Sequence, residues 1–414
     1  MSLVRSGLLN AVAVLVRIGT GLILNKVLAA FVGPSGYAVI GQFQSFVNIG
    51  TTFATGGVST GVTKYTAENA GDPLAQKVIW RAAIMLSTGC AAFIALSIII
   101  FREPLSAYFL KSTQYSDVFI WFGVLLIFLV WNALLLAILN GLKELRRFIA
   151  INILGSLIGL AFAVLLIIFS GIRGCLIALV FSQAVIFLVA VAVCCRATWF
   201  SRANFWGDFD KNAGRKLGRF ALMALVSAIA VPGSQVLIRD HLGVQFGWDA
   251  AGYWQAMTRI SDIYLLLITT TLSYYYLPRL AEIKTGRELK REVFAAYKYI
   301  LPLACVLALP IYVMRGFITK LLFSEAFLPM QSLFFWQLVG DVMKIGSWLL
   351  AFLMLAKAMT KRYVITEVFF SVSLVALSIF FSRIMGVEGA TFAFALNYFV
   401  YWIVVYYVCR DAFK

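Results

Sequence analysis

Residues 146–196 read RRFIAINILGSLIGLAFAVLLIIFSGIRGCLIALVFSQAVIFLVAVAVCCR. Two apolar runs, beginning near Phe148 and near Gly174, flank Gly171-Ile172-Arg173-Gly174, and basic residues close both outer ends. Each run is about 20 residues, enough as an α-helix to cross roughly 30 Å of hydrocarbon. The stretch therefore reads as two membrane spans whose basic ends share one side.

The rest of the chain repeats that pattern. Further spans begin near Leu8, Val39, Val78, Val118, Leu217, Ala250, Phe294, Gln331, Tyr363 and Val387. The chain is 62% hydrophobic and only 13% charged, against about 25% charged in ordinary soluble domains. A soluble protein of 414 residues has no core large enough for that apolar surface, whereas lipid can solvate it. The formal net charge of +17 resembles a nucleic-acid footprint. Its placement in short loops between apolar runs excludes that reading, and no nucleic acid is expected. The first span is interrupted by Arg17 and Lys26, so it is read as retained and not as a secretory signal. The six cysteines lack ligand spacing and read as small core residues, and His241 reads as a solvated loop residue. No metal or cofactor is expected.

The basic residues sort by side. Lys64, Lys77, Arg81, the Lys143 to Arg147 loop, the Arg196 to Arg219 segment, the Arg279 to Lys298 segment, Lys357, Lys361 and Arg362 fall on one side with both termini. Arg102, Lys111, Arg173, Arg239, Arg315, Lys320 and Arg383 fall on the other. The bias is 24 to seven among 35 basic residues, and it marks the first side as cytoplasmic.

The chain also repeats itself. Gly171-Ile172-Arg173-Gly174 recurs 215 residues later as Gly386-Val387-Glu388-Gly389, and Arg146-Arg147-Phe148 as Lys361-Arg362-Tyr363. Cys195-Arg196 returns as Cys409-Arg410, and Gly36-Tyr37 as Gly252-Tyr253, at offsets of 214 and 216. Six spans is an even number, so the copies share orientation and are parallel repeats. The expected fold is an all-α membrane protein of about twelve transmembrane helices in two six-helix lobes around a central cavity. The expected division is an N-terminal lobe over 1–196, a cytoplasmic linker over 197–216 and a C-terminal lobe over 217–414.

Charge inside a span costs roughly 2.5–3.5 kcal/mol on insertion scales and is kept where it faces a cavity or a partner. Arg17 and Lys26 have no nearby carboxylate in sequence. Arg259 and Asp262 are three apart, as are Asp341 and Lys344, a spacing at which each pair can neutralise itself. An excess of cation suits an anionic substrate, and Asp262, Asp341 and Glu367 are candidate ion carriers. Ser45, Asn48, Thr52, Thr55 and Ser59 step by three and four, forming one polar helix stripe that suits water or sugar or else helix–helix hydrogen bonding. No GxxxxGK[ST], HExxH or GxSxG motif occurs, so neither an ATPase nor a hydrolase is indicated.

Met1-Ser2-Leu3, Val16-Arg17-Ile18-Gly19, Asn25-Lys26, Gly33-Pro34-Ser35-Gly36 and Gly61-Val62-Thr63-Lys64 resemble Wzx-type polysaccharide translocases. These belong to the multidrug/oligosaccharidyl-lipid/polysaccharide exporter superfamily. The motif likeness covers roughly the first 70 residues; beyond them it rests on topology and repeat. The resemblance implies a non-enzymatic flippase of the bacterial inner membrane. Its substrate would be an undecaprenyl-diphosphate-linked oligosaccharide, an O-antigen or enterobacterial common antigen unit, moved outward by alternating access. It also implies contact with membrane lipids, and a polysaccharide polymerase and a chain-length regulator as protein partners. Family members hold the diphosphate with cavity cations, which here carries over to Arg17, Lys26 and Lys64. Arg259 and Lys344 are added by the in-span charge argument alone. The alternatives are a multidrug or cation antiporter of the same superfamily, a major-facilitator transporter and an intramembrane glycosyltransferase. Gly61 to Pro73 lacks the major-facilitator GxxxDRxGRR pattern, and the outer loops around 102–117 and 315–330 are short for a catalytic site.

Overall fold

The computed structural model describes residues 3–272, 276–283, 285–357 and 359–413; Met1, Ser2, Lys284 and Lys414 lie outside them. Every regular element among the described residues is helical. In chain order they are α1 (Leu3–Thr55), α2 (Ser59–Glu68), α3 (Pro73–Ile100), α4 (Arg102–Phe109), α5 (Ser116–Gly141), α6 (Leu145–Cys194), α7 (Arg202–Phe205) and α8 (Lys211–Phe246). There follow α9 (Trp248–Thr271), α10 (Leu277–Glu282), α11 (Gly286–Val313), α12 (Arg315–Leu322), α13 (Phe334–Ala356), α14 (Thr360–Met385) and α15 (Glu388–Cys409).

Among the described residues, eight segments are long and apolar enough to cross a membrane. Two of them are double. An unbroken helix of 50 residues, the length of α6, would extend about 75 Å, more than twice the hydrocarbon thickness. It is broken at Gly171 (φ 54°, ψ −131°), and α1 is broken at Gly33 (φ 65°, ψ −175°). With α8 and α9, whose polar residues set them apart from the eight, the spans number twelve, six to a lobe.

The recurring glycine motif now has a physical reason. Gly171 and Gly386 both take positive φ, 54° and 65°, with ψ of −131° and −149°, toward a region occupied essentially only by glycine, which costs other residues on the order of 1–3 kcal/mol. Three residues on, a Cβ at Gly174 would lie 1.9 Å from the Leu166 carbonyl oxygen, and one at Gly389 would lie 2.2 Å from that of Phe381. The first glycine turns the chain and the second lets the returning helix pass against backbone. The repeat extends to element lengths: α3 and α11 have 28 residues each, and α4 and α12 have eight each.

The chain divides into two compact units, residues 1–32 with 39–228, and residues 33–38 with 229–414. Residues 197–216 cluster with the first. Within the first unit, α3 starts where Asp72 caps it, accepting the Leu74 and Ala75 N–H groups at 3.0 Å, with Pro73 in the first turn. Its core gathers Phe43, Phe119 and Phe122 in edge-to-face contact. Within the second unit, the Ser35 N–H donates to Asp249 at 3.0 Å, and Tyr37 stands edge-on to Phe323 and Phe327. Large apolar side chains such as Phe93 and Phe169 remain exposed, as a lipid-facing surface requires.

Some residues depart from expectation. Arg239, assigned to an outer loop, is 1% exposed on α8. Its guanidinium donates to the Gln255 carboxamide oxygen at 2.6 and 2.9 Å and lies over Trp254. His241 is likewise helical and half-buried, with Nε2 2.9 Å from the Ser382 hydroxyl. Their short side-chain partners come from other helices or another turn, which a linear reading does not reveal. All six cysteines are free; Cys175, Cys194 and Cys409 are buried, whereas Cys195 and Cys305 are exposed and so are not core residues.

Candidate functional site

Each unit holds its own polar cavity. That of the first is about 540 Å³ and is lined from α1, α2, α5 and α6. Among the described residues Arg17, exposed on the first arm of α1, is its one charged lining residue. Around it stand Ser59, Thr60, Thr63, Asn132, Asn140, Asn152, Ser156 and Gln183, and no carboxylate. Several of these are already oriented: Thr63 Oγ1 donates to the Ala137 carbonyl at 3.1 Å, and Asn152 Nδ2 to that of Phe148 at 2.7 Å. Asn132 is 6% exposed and its Oδ1 has no hydrogen-bond partner. Such a buried acceptor is costly unless something completes it.

The second unit's cavity is about 380 Å³, lined from α8, α9, α13, α14 and α15. It brings together Asp262, Lys344 and Glu367. The Lys344 ammonium lies 4.8 Å from the Trp348 ring centroid and 5.5 Å from those of Phe394 and Tyr398. Three aromatic faces around one cation are worth about 0.5–2 kcal/mol and hold it where water is scarce. Asp341 sits behind this wall, 0% exposed. It accepts from Ser261 and Tyr264 hydroxyls at 2.7 Å each and from Gln337 Nε2 at 3.3 Å. Ser261 and Gln337 line the cavity, so Asp341 reaches it only through them. Neither Asp341–Lys344 nor Arg259–Asp262, whose spacing allows a pair, closes to an ion pair within 4 Å among the described residues.

The remaining predicted residues are placed apart. Lys26 is exposed on α1 and outside the lining of the first cavity. Lys64 is exposed on α2, 3.6 Å from Glu68. Arg259 is half-buried on α9 and outside the second cavity's lining. The polar stripe is divided. Ser45 and Thr55 are buried with their hydroxyls on the Gly41 and Thr52 carbonyls, while Asn48 is exposed and Thr52 half-buried. Only Ser59 of the stripe lines the Arg17 cavity.

A search for charge alone overlooks two groups, the amides Asn132, Asn140, Asn152 and Gln183 and the aromatics around Lys344. Amides inside apolar runs are the sign by which the first group is found.

The fold resembles that of solved membrane transporters. The chain superposes on the inward-facing form of a multidrug resistance MATE family transporter of the MOP superfamily with a TM-score of 0.77 at 15% identity, covering 97% of this chain and 98% of that one. A MOP superfamily transporter from Pyrococcus furiosus gives 0.75 at 14% identity, covering 99% and 95%. Sequence narrows the class further. Residues 27–332 match the polysaccharide biosynthesis protein family. The Lipid III flippases of Escherichia coli (strain K12) and Shigella flexneri are each 30% identical over 401 residues, 97% of this chain and 96% of theirs. The chain belongs to the polysaccharide biosynthesis protein family.

Proposed function

We propose that this protein is a flippase that carries an undecaprenyl-diphosphate-linked oligosaccharide, an O-antigen or enterobacterial common antigen unit, from the cytoplasmic to the periplasmic leaflet by alternating access. The observation that carries the reading is the 30% identity to Lipid III flippases along nearly the whole chain. The first cavity fits it chemically. A diphosphate cannot enter hydrocarbon uncompensated. Arg17 offers a planar, permanently charged fork to phosphate oxygens. The amides and hydroxyls around it, Asn132 above all, suit the hydroxyls of a sugar. Lys26 and Lys64, exposed outside the cavity, serve as approach charges, with Asn48 and Thr52 the reachable part of the stripe.

The second cavity is read as the energy-coupling site. Asp262 and Glu367 are its ion carriers and Lys344 the cation that competes for them, with Asp341 as a buried hydrogen-bond anchor and Arg259 a peripheral charge. We further propose that both termini are cytoplasmic in the bacterial inner membrane, that the lobes run over 1–196 and 217–414 with 197–216 as linker, and that no chemical step is catalysed. A polymerase and a chain-length regulator are the protein partners expected.

The test is a strain lacking this protein and any redundant translocase. Loss of surface glycan with lipid-linked intermediates held on the inner leaflet is the expected result. A normal surface glycan in that strain would sink the reading. Dye efflux that depends on Arg17 while glycan export does not would favour the antiporter.

A further inference from the structure

We propose that the first unit carries a dedicated site for one anionic phospholipid, separate from the cavity that holds Arg17. The site is a groove of about 200 Å³ between α3, α5 and the second arm of α6, bordered at one end by the turn around α7. Its walls are Ile84, Trp131, Ile138, Phe187, Phe205 and Trp206 with neighbouring apolar residues, and no charged side chain among the described residues. The indole N–H of Trp131 is satisfied by the Thr88 hydroxyl at 3.1 Å, so the ring presents hydrocarbon to the groove. Trp206 is 61% exposed at the rim. An α-helix is roughly 10 Å across with its side chains, too wide for this space; a single acyl chain is not.

One end of the groove is cationic. Lys77, Arg81, Ile84 and Thr88 step by four, three and four along α3 and so share one face. That face passes from charge to hydrocarbon within two turns, the order of an amphiphile's headgroup and chain. Arg81 Nη2 donates to the Ala203 carbonyl at 2.6 Å, and its guanidinium lies flat on Gly207, where a Cβ would come within 2.6 Å of Cζ. This contact fixes the guanidinium beside Trp206 yet leaves Nε buried without a hydrogen bond. Neither Lys77 nor Arg81 has a carboxylate within 4 Å among the described residues. Two cations without a counter-charge at the mouth of an apolar slot are complementary to a phosphate bearing a net negative charge, and less so to a zwitterion. The occupant is therefore an anionic glycerophospholipid of the surrounding bilayer, one chain in the slot and its phosphate on Lys77 and Arg81.

The test uses the full chain in nanodiscs doped with phosphatidylglycerol or phosphatidylcholine carrying a diazirine at mid-chain, followed by peptide mapping. The anionic probe should label peptides containing Ile84, Trp131 or Trp206 more than the zwitterionic one, by about fivefold for each basic residue engaged. Lys77→Gln, which leaves the Arg81–Ala203 bond intact, should lower that preference. Lys77→Gln with Arg81→Gln should bring the two probes to parity, and Trp206→Ala should reduce labelling by both. Equal labelling of the wild type by both probes would overturn the proposal, as would labelling spread evenly to Phe93 and Phe169. Displacement of the phosphatidylglycerol probe by equimolar undecaprenyl phosphate would assign the groove to a polyprenyl chain and also overturn it.

Discussion

The two cavities draw mostly on corresponding helices of a duplicated chain, with α2 added in the first and α9 in the second, yet their chemistry is opposite. In the first, one arginine stands among amides and hydroxyls with no carboxylate in the lining. In the second, a lysine enclosed by aromatic rings shares the space with Asp262 and Glu367. The scaffold, including the Gly171/Gly386 turns and the Gly174/Gly389 crossings, is common to both halves. Function has diverged in the side chains that packing leaves free, because a side chain facing a cavity is not constrained by neighbours as a core residue is. On the proposed reading, one half binds an anion and the other exchanges a small ion.

The largest effect expected on this comparison comes from Arg17→Ala. Removing the one charge that lines the first cavity among the described residues should cost about 1.5–3 kcal/mol of phosphate binding, a factor of roughly 10–150, read as surface glycan at equal protein abundance. Arg17→Lys should recover part, since an ammonium restores charge without the bidentate fork. If Arg17→Ala transports normally, the two cavities do not differ in the way proposed.

Next come the crossing glycines. Gly174→Ala and Gly389→Ala should both lower thermal stability, by more than Gly171→Ala and Gly386→Ala, which should each cost on the order of 1–3 kcal/mol. Thermal unfolding in detergent measures all four. Unequal penalties in the two halves would break the structural side of the comparison.

Asp262→Asn and Glu367→Gln should abolish gradient-driven transport in proteoliposomes while changing substrate affinity by less than about threefold, as expected of groups that do not touch the phosphate. A loss of affinity equal to that of Arg17→Ala would merge the two sites into one. A smaller effect is expected from Trp348→Leu, which removes one aromatic face from Lys344 and should cost about 0.5–1 kcal/mol, measured by thermal unfolding. The smallest belongs to Glu68→Gln, since the exposed Lys64–Glu68 pair contributes about 0.3–0.5 kcal/mol.

Much of this protein was decided by its sequence alone. Span number and the duplication were legible because a bilayer imposes local rules: about 20 apolar residues per crossing, with turns marked by glycine. Residues 146–196 obey them so closely that two spans and the turn between them read directly from the letters. Arg17, Asp262, Lys344 and Glu367 were legible for the same reason, as charges the membrane rule disfavours. Only the tertiary structure decided which of them meet. It placed Asp262 with Glu367 and Lys344, put Asp341 behind the wall on Ser261 and Tyr264, buried Ser45 and Thr55 out of the polar stripe, and moved Arg239 and His241 out of loops into helix packing. An amide inside an apolar run such as Asn132 marks a polar face in the sequence, but only the fold shows that it shares a cavity with Arg17, and only the fold sets Trp348 beside Lys344.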